Sequence, residues 1–462
     1  MITTRKYALS ILAIISIFAP ATALAHVKWF SNFSFADLPL RIDQVITPTV
    51  IVLAALSGVA MAVAVLLERG IKETGWYSRT VDWFHQRSTY SYLVMRIGLG
   101  ATLLMAWQAD SLLVPRLPIE QVWLGWLQFL FIFLLFFERT TPFAGWGTGF
   151  LYTVGMVEFG WFYMLDYVLF VGVAFFLIFY RHPSITVRGL AVPALYFTTG
   201  FSLIWVGLEK LVYPQWGLYI LQQNPQLALG FPIDFFLVGA AFVELVLGYL
   251  LIIGLLERPL ALVVTVVFFT TTTIFGKVEV LGHTIIHAAL IVFLLEGTGN
   301  VYRPPILFHK RTPVQMAFAS VNFLLLSGII FVPYVWGAHS KYEHEAGEIV
   351  ELAQATTERA TDPSLDFDVV YDRGTAWLLT LTVEDFDFVN AEIPSDDVNG
   401  DGFAHIYIND QLVGISFEER YQLGPVQPGD STMRVSLHAP DGSQYIVDGE
   451  PLSLEKTIDF SR

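Results

Sequence analysis

The feature that most constrains this chain is its succession of long apolar runs. They fall at about 45–67, 92–107, 122–137, 143–160, 167–180, 190–208, 235–256, 260–275, 284–295 and 314–336. A bilayer core of about 30 Å takes about 20 apolar residues per helix, so the longer runs read as transmembrane helices and the shorter as tilted or extended ones. The predicted fold class is an all-α polytopic membrane bundle of about ten transmembrane helices. Only 15% of residues are charged, against about 25% in soluble domains. The chain has no cysteine, which excludes disulfides, thiolate metal sites and iron–sulfur clusters built from its own residues.

Basic residues give the runs a direction. Placing residue 26 outside puts Arg69, Lys72, Arg79, Arg87, Arg139, Arg181, Arg188, Arg258, Arg303, Lys310 and Arg311 in inner loops. The outer segments between spans then hold only Arg116, Lys210 and Lys277. Cytoplasmic loops carry the lysine and arginine excess, so both ends of the mature chain are expected outside the cytoplasm of a bacterial inner membrane. From Ser340 onward there are 7 Lys+Arg and 25 Asp+Glu. So acidic a tail does not suit nucleic acid; it suits cations, a basic protein partner or plain solubility.

Residues 1–25 read as a secretory signal. Arg5 and Lys6 precede the apolar stretch from Tyr7 to Phe18, and Ala23-Leu24-Ala25 is a small-residue cleavage site. Cleavage would leave His26 as the N-terminal residue. Its α-amine and imidazole together form a chelate that favours copper, provided a further histidine is at hand. The plainer alternative is that His26 is merely the first residue of an ordered arm, His26 to Phe30, lying at the membrane surface beside Trp29, within an extracytoplasmic N-terminal arm at 26–43.

The middle of the chain is weakly repetitive. Leu255-Leu256-Glu257-Arg258-Pro259 echoes Phe136-Phe137-Glu138-Arg139-Thr140, and Gly100 and Gly200 hold similar positions. Two four-helix units are expected, 92–188 and 189–299, flanked by a first helix with its loop (44–91) and a loop with a last helix (300–338). The second unit carries Gly207-Leu208-Glu209-Lys210, Glu244 followed by Gly248, Gly254 with Glu257-Arg258, Phe275-Gly276-Lys277 and Gly282-His283. In these it resembles the DoxX family of small four-helix membrane proteins. The resemblance implies a subunit or accessory of a membrane redox system, quinol-oxidising or sulfur-linked.

Ionisable groups inside a membrane are costly and mark function. Glu209, Lys210, Glu244, Lys277, Glu279, His283 and His287 come from all four helices of that unit and are expected near its outer side. Glu244 lies roughly 15 Å deep by helix rise, and His283 and His287 share a face at four-residue spacing. Such a set can relay protons, hydrogen-bond a quinone head group between Trp205, Tyr213 and Trp216, or bind a divalent metal. A buried salt-bridged cluster that fixes packing is the structural alternative.

Beyond a linker at 339–365, residues 366–462 are expected to form an acidic β-sandwich-like domain. Strands are predicted at about 367–371, 376–383, 405–408, 411–416, 433–437, 444–447 and 456–460, separated by turn-forming residues. Asp397, Asn399 and Asp401 have the spacing of half a calcium loop, but Ile408 stands where the bidentate glutamate belongs. His405 and His438 read as isolated strand histidines that pack rather than ligate. Taken together, the sequence describes a membrane accessory or subunit of an extracytoplasmic redox or metal-handling system, with quinone or copper as possible cofactors and a membrane or extracytoplasmic protein as partner. The rivals are a proton-coupled small-molecule transporter and a non-catalytic scaffold whose β domain recruits a partner. No serine-triad order, haem pattern or phosphate loop supports a stand-alone enzyme.

Overall fold

The computed structural model describes residues 26–31, 33–297, 305–359, 363–372, 376–389, 401–424 and 426–461. The signal sequence therefore lies outside the described residues. Five helices are long and apolar enough to cross a membrane by length and composition: α1 (Pro48–Lys72), α7 (Ala191–Val212, with the turn that precedes it), α9 (Ile233–Ile253), α11 (Lys277–Glu296) and α12 (Thr312–Leu352). The other apolar runs form α3 (Ser91–Gln108), α4 (Val122–Leu134), α5 (Thr141–Glu158), α6 (Leu169–Phe179) and α10 (Glu257–Phe275). Short polar-faced helices α2 (Gly75–His85) and α8 (Pro214–Gln223) complete the helical part. The architecture is a polytopic helical bundle with a C-terminal β domain. Among the described residues five helices meet both criteria, or six if one bent pair is a single span; α3, α5 and α10 are 18 or 19 residues long, and the helix count fits a polytopic bundle.

The chain divides into two compact units. The first holds residues up to Trp29, Pro48–Leu208 and Gly239–Phe331. The second holds Phe30–Thr47, Glu209–Val238 and Val332–Arg462.

Small residues set the helix packing of the first unit, as expected where lipid removes the hydrophobic drive between helices. A Cβ on Gly200 would stand 2.5 Å from the Gly248 carbonyl oxygen, and one on Gly248 would stand 2.4 Å from that of Gly200. α7 and α9 therefore touch backbone to backbone. Gly98 of α3 admits Ala288 of α11 in the same way, so the two expected four-helix units interlock. One span is broken: the short helix Trp161–Met164 and the turn Leu165–Tyr167 meet α6 at a bend of 59°. The Leu169 amide freed at the bend donates to Ser202 Oγ at 3.2 Å, which meets the demand that backbone groups in lipid be satisfied internally. The break brings Asp166 and Tyr167 into the bundle interior, where both are buried.

In the second unit the last helix runs through residue 352, beyond Gly337 where the apolar run stops. The stretch 340–352 has four Glu, a good helix former, and no Pro, and the helix runs through its one glycine, Gly347. Ten strands follow: β1 (Thr356–Glu358), β2 (Leu365–Asp372), β3 (Ala376–Val383), β4 (Phe403–Ile408), β5 (Gln411–Ser416), β6 (Arg420–Gln422), β7 (Asp430–His438), β8 (Gln444–Val447), β9 (Glu450–Pro451) and β10 (Ser453–Asp459). One sheet has the order β1-β8-β7-β4-β5, with β10 also on β7 and β9 on β8; the other is β2-β3-β6. Alternate residues from both sheets, among them Phe367, Leu379, Leu381, Ile406, Val435 and Leu437, share one core, as in a sandwich. The opposite face of β4 and β5 presents Tyr407, Leu412 and Ile415 to Ala36, Tyr342 and Ala346.

Candidate functional site

The first unit encloses a cavity of about 30 Å³ among its helices, lined by His26, Trp29, Asp166, Tyr167, Glu244 and His283 with apolar neighbours. His283 is 1% exposed, and its Nδ1 stands 3.1 Å from Glu279 Oε1, one helical turn earlier. Nε2 is buried without a hydrogen-bond partner. Nδ1 likewise makes no hydrogen bond, so Glu279 is a neighbouring carboxylate rather than a hydrogen-bonded one.

Phe268 stacks on the same ring at 4.3 Å between centres. The His26 ring stacks on Trp29 at 4.2 Å and Tyr167 at 5.4 Å, and the His283 ring centre is 6.0 Å from that of His26 and 5.1 Å from that of Trp29.

Three contacts seat the segment that carries His26. The Lys28 ammonium forms an ion pair with Asp166 at 2.6 Å, both side chains almost wholly buried. The Trp29 indole donates to the Tyr167 hydroxyl at 3.0 Å. Gly282 makes room for the same indole: a Cβ there would lie 2.0 Å from the ring. The segment packs against the helices rather than lying free of them. Val27, Lys28 and Trp29 are buried, because an ion pair and an aromatic stack await them inside.

Of the residues singled out in the sequence, the structure gathers Glu244, Glu279, His283 and His26 around this cavity. His287, a turn beyond His283, stacks on Phe269 at 4.6 Å. Lys277 is exposed at the start of α11 and does not line the cavity. Glu209 and Lys210 are fully buried and belong to the second unit, as do Tyr213 and Trp216, which stack on one another at 4.1 Å. Asp397 and Asn399 lie outside the described residues. Asp401 is occupied by Arg359 at 3.1 Å and by the Asp387 amide at 2.9 Å. Among the described residues no group of three or more His, Asp or Glu side chains has metal-binding geometry.

Sequence reasoning missed Lys28, Trp29, Asp166 and Tyr167. Their partnership spans more than a hundred residues, and no local pattern reports it.

The second unit holds another buried acid. Asp37 accepts hydrogen bonds from Trp216 Nε1 at 2.6 Å, the Tyr421 hydroxyl at 2.8 Å and the Ser34 amide at 3.2 Å. Burial pushes its carboxyl up to about 6, against the pull of these donors. His405 and His438 are not isolated: neighbours across β4 and β7, they stack at 3.6 Å. Burial holds both below the usual histidine range, His438 at about 4 and His405 at about 2. They pack as neutral rings, with His438 Nε2 2.8 Å from Ser436 Oγ.

Residues 195–277 match the family model described as DoxX. No curated protein and no solved structure matches the chain. The matched segment is similar to DoxX, and it contributes Ser202 and Glu244 to the cavity.

Proposed function

We propose that this protein is an accessory subunit of the bacterial inner membrane that handles a metal ion on the extracytoplasmic side, with the small cavity of the first unit as its working site. The observation that carries the reading is the partnerless Nε2 of His283, backed by Glu279 and facing a cavity that His26 and Glu244 also line. Size decides between the ligands the residue types allow. A space of about 30 Å³ holds a water or an ion, whereas even benzene has been accommodated in a cavity of about 150 Å³. A quinone ring does not fit. Imidazole and carboxylate are ligands of divalent metals, and a metal tuned by such groups serves either a storage and transfer role or electron transfer in a larger assembly.

The acidic β domain, on the same side of the membrane by the distribution of basic residues, would dock the partner that delivers or receives the ion. Metal analysis of the protein purified from its native membrane tests this reading, paired with complementation of a deletion strain. His283→Ala and Glu244→Gln should accumulate normally yet fail to complement. Full complementation by both at normal abundance, or a metal-free wild-type protein that stays metal-free on exposure to copper, zinc and iron salts, rules the reading out.

A further inference from the structure

We infer that the mature N-terminus is itself a metal ligand: after cleavage behind Ala25, the α-amine and imidazole of His26 chelate a copper(II) ion that His283 Nε2 completes. The inference rests on the metal-handling reading and specifies its donor set. Three independent features support it.

The first is placement. A cleavage motif ends at Ala25, and the next residue is buried inside the helical unit rather than trailing in solvent. Newly made chain ends are usually poorly ordered. This one is drawn inward by the Lys28–Asp166 ion pair and by a glycine notch cut to the Trp29 indole. Burying a lysine is tolerated only against a partner, so position 28 has a reason to be lysine that concerns where residue 26 ends up. Lys28, Asp166 and Gly282 act as positioning residues.

The second is spacing. Two imidazoles sharing one ion at about 2.0 Å per nitrogen have ring centres roughly 4.5–6 Å apart, the upper value when they lie nearly trans, and His26 and His283 are separated by 6.0 Å, which fits a near-trans pair.

The third is donor type. Side-chain counting finds no three-ligand group among the described residues. The missing donor is supplied by the backbone amine, which exists only after cleavage. An amine and two imidazoles are nitrogen donors with no thiolate, and first-row divalent ions bind such sets most tightly at copper(II). Glu279 stands 3.1 Å from His283 Nδ1, which leaves Nε2 as the nitrogen away from that carboxylate.

The experiment uses full-length protein titrated with copper(II) sulfate, read by electron paramagnetic resonance and by affinity. Three chains are compared: wild type, His283→Ala, and a leader-retaining chain in which Ala23→Asp and Ala25→Asp block the peptidase, checked by intact mass. Wild type should start at His26, bind one copper and show nitrogen hyperfine structure from three donors. His283→Ala should lose one nitrogen, and affinity should fall roughly 10–100-fold or more.

The leader-retaining chain keeps the imidazole but has an amide in place of the amine, and it should lose the chelate. If it binds copper with unchanged affinity and donor count, or if wild type begins at Met1, the inference fails while the metal-handling reading stands. If wild type takes up no metal of any kind, both fail together. Unchanged binding in His283→Ala identifies an adventitious surface ion and overturns the inference as well.

Discussion

At the scale of single residues, the site depends on two substitutions the bundle cannot absorb. Asp166→Asn leaves the Lys28 ammonium buried without a counter-charge. That loss should cost about 3–5 kcal/mol, read as a drop in thermal stability of the purified protein. Replacing both partners together, Lys28→Met with Asp166→Leu, should recover most of it, since apolar pairs of similar size are often as stable as the buried ion pair they replace. A double variant no more stable than Asp166→Asn would show that the pair's charge is needed for something other than mutual neutralisation. Gly282→Ala should cost about 1–3 kcal/mol, because the new methyl overlaps the Trp29 ring. Gly70→Ala is the control: it has open space around it and should be neutral or mildly stabilising. His283, Glu279 and Glu244 were legible beforehand because an ionisable residue inside an apolar run is conspicuous on its own. Lys28 and Asp166 were not, because what makes each tolerable is the other.

At the scale of elements, legibility followed local patterning. Strands β3, β5 and β8 run over the residues that alternation and turn chemistry predict. Edge strands β1, β6 and β9 are two or three residues long, too short to show a period. The extension of α12 through 340–352 was hidden by the change from apolar to charged residues, although helix propensity does not change there. The stacking of His405 on His438 was invisible because register across β4 and β7 brings it about.

That pairing gives the β domain a pH dependence. A histidine held low in the fold is neutral there while the unfolded chain takes up a proton, so stability rises with pH up to the ordinary histidine value of 6.5. His438 alone, lowered to about 4, contributes roughly 3 kcal/mol over that window, and His405 adds to it. Asp37 acts in the opposite sense. Raised from 3.8 to about 6, it binds a proton in the fold that the unfolded chain has released, and stability falls by roughly 3 kcal/mol as pH rises between those values. Two histidines outweigh one aspartate. The unfolding midpoint of the β domain should therefore climb from pH 4.5 to 6.5 and level off above, and the climb should steepen in Asp37→Asn. A midpoint that is flat or falling with pH in wild type would contradict the assignment of buried neutral rings.

At the scale of the whole molecule, length and charge together decide how many helices cross. Five helices are long and apolar enough by themselves, or six if the bent pair at Trp161–Tyr167 and α6 is one span. Crossings by the five alone cannot satisfy the basic residues. α1 ends on Arg69 and Lys72, and the turn before α7 carries Arg188; both are cytoplasmic signals. An even number of crossings must separate them, and α3, α4, α5 and the bent pair supply four. Likewise Arg258 follows α9, and Arg303, Lys310 and Arg311 follow α11, so α10 must cross between them. If the basic residues mark the cytoplasmic side, they require α10 to span, and they fit four crossings by α3, α4, α5 and the bent pair, helped by tilt or local bilayer thinning. A reporter active only outside the cytoplasm should work when fused after Gln121, Asn224 or Arg462, and fail after Arg79, Arg139, Arg181 or Pro304. The discriminating pair is Gln121 and Arg139, which bracket α4, a helix of 13 residues. If both fusions report the same side, α4 is a re-entrant segment. Every later assignment would then invert unless another short helix also fails to cross. An inactive Arg462 fusion would put the β domain in the cytoplasm, out of reach of any ion handled on the extracytoplasmic side.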